Sequence, residues 1–139
     1  MRPDRPPRHR VLTVLAALMA LLAISNFAKP LSQAAAPQSD AGFVFFGYRL
    51  HGLANAILGP LFGLVLAAYA YGVWTMRRWV VPLAAAYAAY VIVNVISFAL
   101  HPPPGSDTPA LAFLAYGVVA IGVSSGAAVY LRRNREALR

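Results

Sequence analysis

The 139-residue chain is 60% hydrophobic and 12% charged, against roughly 25% charged residues in soluble domains, so its composition excludes an ordinary soluble protein. It contains no cysteine, which excludes disulfides, thiolate metal sites, thiol redox chemistry and S-acylation. The formal net charge is +8, but the arginines flank apolar runs and no nucleic-acid-binding motif is present, so we expect no nucleic-acid partner.

Four long apolar runs, separated by short polar breaks, follow one another along the chain. A transmembrane helix needs roughly 20 apolar residues to cross about 30 Å of hydrocarbon, and the runs lack the alternation of membrane strands. We therefore predict an all-α polytopic membrane protein, a bundle of four transmembrane helices. The predicted spans are 11–28, 50–75, 79–100 and 109–131. They form one domain, 11–131, between basic tails at 1–10 and 132–139.

The first apolar run has a second interpretation. Its basic start, its apolar stretch and the later small-residue segment SQAAA resemble a secretory signal, and cleavage after Ala34 would leave three spans. The run has 18 residues, which is longer than the roughly 7–15 apolar residues of a signal peptide. We therefore expect four spans, with cleavage as the alternative.

The segment that precedes the second span, 41–48 (AGFVFFGY), is apolar and aromatic. Two placements are open for it: it lies flat in the outer membrane interface, or it extends the second helix upward. The connection between the third and fourth spans, 101–108, contains three consecutive prolines and is too short for a separate domain.

Positive charge is distributed unequally between the two sides of the predicted bundle. Ten of the twelve basic residues lie on the side that holds both termini and the loop between the second and third spans, whereas Lys29 and Arg49 lie on the other side. The positive-inside rule then predicts that both termini are cytoplasmic. The Ala-, Arg- and Pro-rich composition is typical of high-GC bacterial genomes, so we expect a multi-pass protein of the bacterial inner (plasma) membrane.

The predicted partners are lipids and, through small residues, other transmembrane helices. Arginines next to the spans are expected to contact lipid headgroups. These are Arg77, Arg78, Arg132, Arg133 and Arg135. Gly59 and Gly63 in the second span, and Gly122 and Gly126 in the fourth, form G-x-x-x-G pairs that let helices approach closely. They serve either internal packing or association with a membrane-protein partner or a second copy.

The third span carries a polar stripe. Its members are Tyr87, Tyr90, Asn94, Ser97 and His101. At about 100° per residue they occupy an arc of about 80° on one helix face. His51 and Asn55 share a face of the second span in the same way, and Asn26 ends the first span. Because polar groups that face lipid are costly, we expect these faces to point inward and toward one another.

The predicted topology places these side chains in the outer half of the bundle, where they would line a polar vestibule open to the extracytoplasmic side. The candidate ligand-binding residues are Asn26, His51, Asn55, Tyr90, Asn94, Ser97 and His101. Two interpretations are open. The polar groups form interhelical hydrogen bonds, each contributing about 0.6 kcal/mol in membranes, or they line a pocket for a polar headgroup, a quinone-like ring, an ion or a cofactor.

The sequence offers little for catalysis. No Asp or Glu lies inside a span, and the chain has no glycine-rich phosphate loop and no metal-binding motif. We therefore predict a non-enzymatic protein without catalytic residues, metal or cofactor: an accessory or packing subunit, or a binder of a lipophilic ligand in the vestibule. The alternative is a membrane redox or transport component that uses the Asn/His/Tyr stripe of the third helix. A haem held by His51 and His101 is a further alternative.

Overall fold

The computed structural model describes residues 10–37, 42–102 and 109–139. Its elements are α1 (Arg10–Ala35), β1 (Val44–Phe45), β2 (Tyr48–Arg49), α2 (Gly52–Trp74), α3 (Val80–Leu100), α4 (Ala110–Arg133) and a 3-10 turn (Arg135–Ala137). All four helices are long and apolar enough to cross a membrane. This confirms the predicted fold class, a bundle of four apolar helices. Except for Arg10, the predicted N-terminal tail lies outside the described residues, as do 38–41 and 103–108.

The first helix continues beyond the predicted span end at residue 28 and includes Pro30 in its last turns. Lys29 and Pro30 are ordinary signals for a helix end, because proline removes a backbone donor and clashes with the preceding turn. The helix continues because its last turns pack against the start of α2, where the Gln33 side chain bonds to Asn55. The remaining helices begin and end within two residues of the predicted spans.

Residues 42–50 form a β-hairpin, so the placement of 41–48 as an extension of the second helix is wrong for the described part of that segment. Val44 pairs with Arg49 and Phe45 with Tyr48. The two turn residues have positive φ, 48° at Phe46 and 82° at Gly47, which is the geometry of the tight turns that match strand twist. The aromatic and apolar residues of this segment therefore form a cap beside the helices instead of a helical turn.

The helices associate as two pairs, α1 with α2 and α3 with α4, and the pairs touch each other more sparsely. Along the first pair, a methyl group at Gly63 would lie 3.2 Å from the Ala23 carbonyl oxygen, and one at Gly59 would lie 3.4 Å from that of Asn26. The first G-x-x-x-G pair is therefore used for packing within the chain. At Gly122 and Gly126, by contrast, an added methyl group would meet no atom within 4 Å among the described residues.

The best-buried apolar cluster lies where α1 begins, α2 ends, α3 begins and α4 ends. We call this the basic end of the molecule, and we call the opposite end, which carries the hairpin, the hairpin end. The largest fully buried apolar side chains of the cluster include Leu66, Tyr69, Val73, Val80 and Leu131. Leu12, Leu15 and Met19 of α1 complete it.

The segment 132–139, predicted as a basic cytoplasmic tail, is folded in the structure. Leu138 is 2% exposed and belongs to the apolar cluster. The Arg139 N–H donates to the Met76 carbonyl oxygen at 2.7 Å, and the Arg78 N–H donates to the Arg139 carbonyl oxygen at 2.7 Å. A single leucine near the end of the segment explains the difference, because burying it draws the chain back onto the loop between α2 and α3.

Candidate functional site

The seven candidate residues lie at the hairpin end, and the hairpin divides them into two groups. Asn26, His51 and Asn55 lie on the side of α1 and α2, whereas the α3 residues lie on the other side of the hairpin. The division follows from the hairpin contacts: Phe43 bonds to Asn55, while Val44 bonds to Tyr90. The predicted single vestibule is therefore replaced by two separate environments.

Asn55 is the centre of the first group and is fully buried. Its Nδ2 donates to Gln33 Oε1 at 2.9 Å, and its Oδ1 accepts from the backbone N–H of Phe43 at 2.9 Å. One amide therefore joins α2 to the last turns of α1 and to the hairpin. Buried amides satisfied on both sides in this way specify a unique arrangement of the elements they join.

Gln33 extends the network to His51. Its Nε2 lies 2.9 Å from His51 Nδ1 and 3.4 Å from the Leu50 carbonyl oxygen. Because Oε1 already accepts from Asn55, the amide NH2 group faces the ring, so Nδ1 is the acceptor. In the neutral imidazole the proton then sits on Nε2. The ring itself is exposed, so His51 borders the network and leaves Nε2 accessible from outside.

Asn26 does not join this network. Its Nδ2 donates back to the Leu22 carbonyl oxygen of its own helix at 2.8 Å. Asn26 is buried, with 5% of its surface exposed. Its Oδ1 has no hydrogen-bond partner among the described residues. The backbone of α2 lies close to the Asn26 carbonyl oxygen, since a methyl group at Gly59 would be 3.4 Å from it.

A series of aromatic rings separates the two groups. Phe43 is 4% exposed and packs on Phe62 at a centroid distance of 5.1 Å, and Phe62 packs on Tyr90 at 4.8 Å. Lys29 Nζ lies 4.9 Å from the centroid of the Phe43 ring, within the range of a cation–π interaction. The rings hold the hairpin between α2 and α3 and exclude a polar channel between Asn55 and Tyr90.

Of the second group, Asn94 borders a cavity of about 230 Å³ between the hairpin, α3 and α4. Its lining residues are Val44, Asn94, Val95, Phe98, Ala112, Phe113 and Tyr116. The Asn94 side chain is the one amide among them, and its Oδ1 is buried without a hydrogen-bond partner in the described structure. Phe98 and Phe113 stack with their centroids 5.1 Å apart. The cavity is thus apolar and aromatic, with one unsatisfied acceptor.

The other stripe residues hold the hairpin or lie outside the cavity. The Tyr90 hydroxyl donates to the Val44 carbonyl oxygen at 3.3 Å. A methyl group at Gly47 would lie 2.8 Å from the Ser97 carbonyl oxygen, so the turn of the hairpin rests on the backbone of α3 at that residue. His101 follows the last turn of α3 and is exposed.

The haem alternative gains no support from this arrangement. His51 is engaged by the α1 side chain Gln33, whereas His101 lies at the end of α3 on the far side of the hairpin. In the described ranges 10–37, 42–102 and 109–139, no group of three or more His, Cys, Asp or Glu side chains could hold a metal ion.

The five arginines predicted to contact lipid headgroups are all exposed and lie at the basic end. Arg78 has a second role, because its Nε donates to the Leu138 carbonyl oxygen at 2.8 Å. Arg78 and Arg135 also border a surface depression with Glu136, which places a carboxylate among these cations.

Sequence reasoning missed Gln33 and the α4 wall of the cavity. Gln33 lies seven residues after Asn26, and this spacing places both on one helix face. The relation was missed because the first helix was expected to end before Lys29, so Gln33 was assigned to a loop. Phe113 and Tyr116 had no comparable signal, since aromatic residues near the end of a transmembrane helix are ordinary.

Comparison of the chain with known protein families, with curated proteins and with solved structures found no match.

Proposed function

We propose that this protein is a non-enzymatic integral protein of the bacterial inner membrane, with both termini cytoplasmic, that binds the ring of a lipophilic ligand at its extracytoplasmic side. The binding site is the cavity between the hairpin, α3 and α4. The observation that carries the proposal is a cavity lined by apolar and aromatic residues and by one amide, Asn94, whose buried Oδ1 has no hydrogen-bond partner among the described residues. An unsatisfied buried acceptor costs about 1–3 kcal/mol, and a ligand hydroxyl would remove that cost.

The size and lining of the cavity define the ligand class. An apolar cavity of about 150 Å³ accommodates benzene, so the observed 230 Å³ fits one six-membered ring with small substituents. Phe98 and Phe113 offer ring faces for stacking. An amide presents an acceptor or, after rotation, a donor, so Asn94 suits a hydroquinone hydroxyl and a quinone carbonyl alike. An apolar ligand tail would extend between the helices into lipid.

Binding of a short-chain benzohydroquinone to the purified protein in lipid nanodiscs tests the proposal. We expect Asn94→Leu to weaken binding about five- to tenfold, because roughly 1–1.4 kcal/mol of hydrogen bonding is lost. Val93→Leu is the matched control, since Val93 is 47% exposed and does not border the cavity. Isothermal titration calorimetry on the three proteins gives the affinities. Equal affinities for wild type and Asn94→Leu would contradict the proposal.

A second candidate function, that of an accessory subunit, is favoured by the surface of α4. Its buried residues are Gly117, Ser124 and Leu131, and Gly122 presents a smooth, unoccupied surface. A partner helix could approach closely there. Blue-native electrophoresis of solubilised membranes separates the candidates: a larger complex that Gly122→Leu dissociates favours the accessory role, whereas a single small species argues against it.

A further inference from the structure

A second, separate groove lies at the basic end, between the start of α1 and the end of α4. It has a volume of about 440 Å³. Its lining residues are Arg10, Val11, Val14, Leu15, Leu18, Val123, Gly126, Ala127 and Tyr130. Apart from Arg10 and the Tyr130 hydroxyl, these side chains are apolar. We propose that this groove binds one acyl chain of an anionic phospholipid whose phosphate contacts Arg10.

The first argument is the match between the groove and an amphipathic anion. Arg10 is the first residue of α1 and lies at the mouth of the groove, and Val11 and Val14 below it are 53% and 58% exposed. No carboxylate is among the described residues that line it. A guanidinium binds phosphate oxygens in a bidentate manner, and the apolar walls suit a hydrocarbon chain.

The second argument is the floor of the groove. Gly126 lines it, and a methyl group at this position would meet no atom within 4 Å among the described residues. The absence of a side chain on α4 creates the space next to Leu18 and Val123. The groove is therefore an open surface of glycine and aliphatic side chains, and it is not closed by packing between α1 and α4.

The third argument is length, which favours a lipid over a partner helix. From Arg10 to Leu18 a helix rises about 12 Å, at 1.5 Å per residue. One leaflet of the hydrocarbon core is about 15 Å deep, whereas a transmembrane helix spans about 30 Å. The groove thus extends through most of one leaflet and ends before the middle of the membrane, as expected for an acyl chain.

Native mass spectrometry of the delipidated full-length chain, titrated with dioleoyl phosphatidylglycerol or dioleoyl phosphatidylcholine, tests the site. We expect the wild type to bind a first phosphatidylglycerol more tightly than phosphatidylcholine. Arg10→Gln should weaken phosphatidylglycerol binding about fivefold, the equivalent of about 1 kcal/mol for one basic residue, and leave phosphatidylcholine binding unchanged. The matched control is Arg139→Gln, an exposed arginine at the same end that does not line the groove and makes its hydrogen bonds through its backbone.

A second pair of variants tests the acyl-chain contact. Gly126→Leu fills the groove and should weaken binding of both lipids about tenfold, because the chain loses its dispersion contacts. Gly122→Leu adds the same side chain at an equally open position outside the groove and should leave binding unchanged. A Cβ atom at either position meets no described atom within 4 Å, and leucine favours the helix over glycine, so we expect both variants to fold.

Three outcomes would overturn the proposal. Equal losses for Arg10→Gln and Arg139→Gln would mean that lipids respond to the general surface charge. Equal binding by the wild type and Gly126→Leu would mean that no chain enters the groove. A dimer that Gly126→Leu abolishes, with unchanged phosphatidylglycerol binding, would assign the groove to a second copy of the chain.

Discussion

At the scale of single residues, two buried asparagines with the same chemistry have different roles. Asn55 is satisfied on both sides of its amide, by Gln33 and by the backbone of Phe43. Asn26 bonds back to its own helix and leaves its Oδ1 without a described partner. The sequence predicted that both line one polar vestibule. The difference arises because Gln33 reaches Asn55 from a turn of α1 that the sequence assigned to a loop.

The first prediction follows from this contrast. Asn55→Leu leaves the Gln33 carbonyl oxygen and the Phe43 N–H without their partner in a buried region, and each such group costs about 1–3 kcal/mol. Asn26→Leu removes an acceptor that is already unsatisfied, and it should change stability little. Thermal unfolding in mild detergent, followed by circular dichroism, compares the two variants. Equal midpoints for Asn55→Leu and the wild type would show that the network does not stabilise the fold.

At the scale of elements, the hairpin organises the whole hairpin end. Phe43 fixes it to Asn55 of α2, Val44 fixes it to Tyr90 of α3, and its turn rests on the backbone at Ser97. It also supplies Val44 to the cavity wall. A segment that the sequence placed either flat in the interface or as a helical extension thus divides the predicted vestibule and forms one wall of the cavity.

A second prediction tests the contact between the hairpin turn and the backbone of α3. Gly47→Ala places a methyl group 2.8 Å from the Ser97 carbonyl oxygen, where something must shift. Gly52→Ala is the matched control, since Gly52 also has a positive φ, 56° against 82°, but open space around its Cβ. Both variants carry the backbone strain of a side chain at positive φ, so a difference between them reports the contact.

We expect Gly47→Ala to displace the hairpin from α3, lower the thermal midpoint more than Gly52→Ala does, and weaken hydroquinone binding in the cavity. The same protein preparations and the same calorimetry measure both effects. Identical midpoints and identical affinities for the two variants would show that the hairpin turn does not position the cavity wall.

At the scale of the whole molecule, the distribution of charge and the packing of side chains both distinguish two ends. The basic end combines the exposed arginines with the best-buried apolar cluster, including Leu138. The hairpin end combines the polar network, the aromatic rings and the cavity. Side chains are best buried at the basic end, whereas the hairpin end holds the cavity between the hairpin, α3 and α4. This difference is consistent with anchoring at the basic end and with the proposed ligand binding at the hairpin end.

The third prediction concerns orientation, which follows from the ten-to-two division of the basic residues. Reporter fusions after Arg78 and after Arg139 should report a cytoplasmic location, and fusions near residues 38 and 105 an external one, because basic loops are retained inside. Alkaline phosphatase and green fluorescent protein fusions at each site provide opposite readouts. An external signal after Arg78 contradicts the topology, and a mature N-terminus at Ala35 means a cleaved signal and three spans.

The number, nature and approximate limits of the helices, and the asymmetry of charge, could be predicted from the sequence alone. These properties are local, since hydropathy and helical length depend on consecutive residues and not on their partners. The sequence also brought Asn94 and the rest of the stripe onto one face by periodicity alone.

Which polar groups meet depends on how distant segments pack. The bond between Asn55 and Gln33 joins residues 22 positions apart, and the cavity combines Val44 of the hairpin with Asn94 and Tyr116 of separate helices. Burial of Leu138 against the loop at Met76 likewise depends on how the helix ends pack. Such contacts depend on the relative positions of distant segments, and a periodic pattern within one segment carries no information about them.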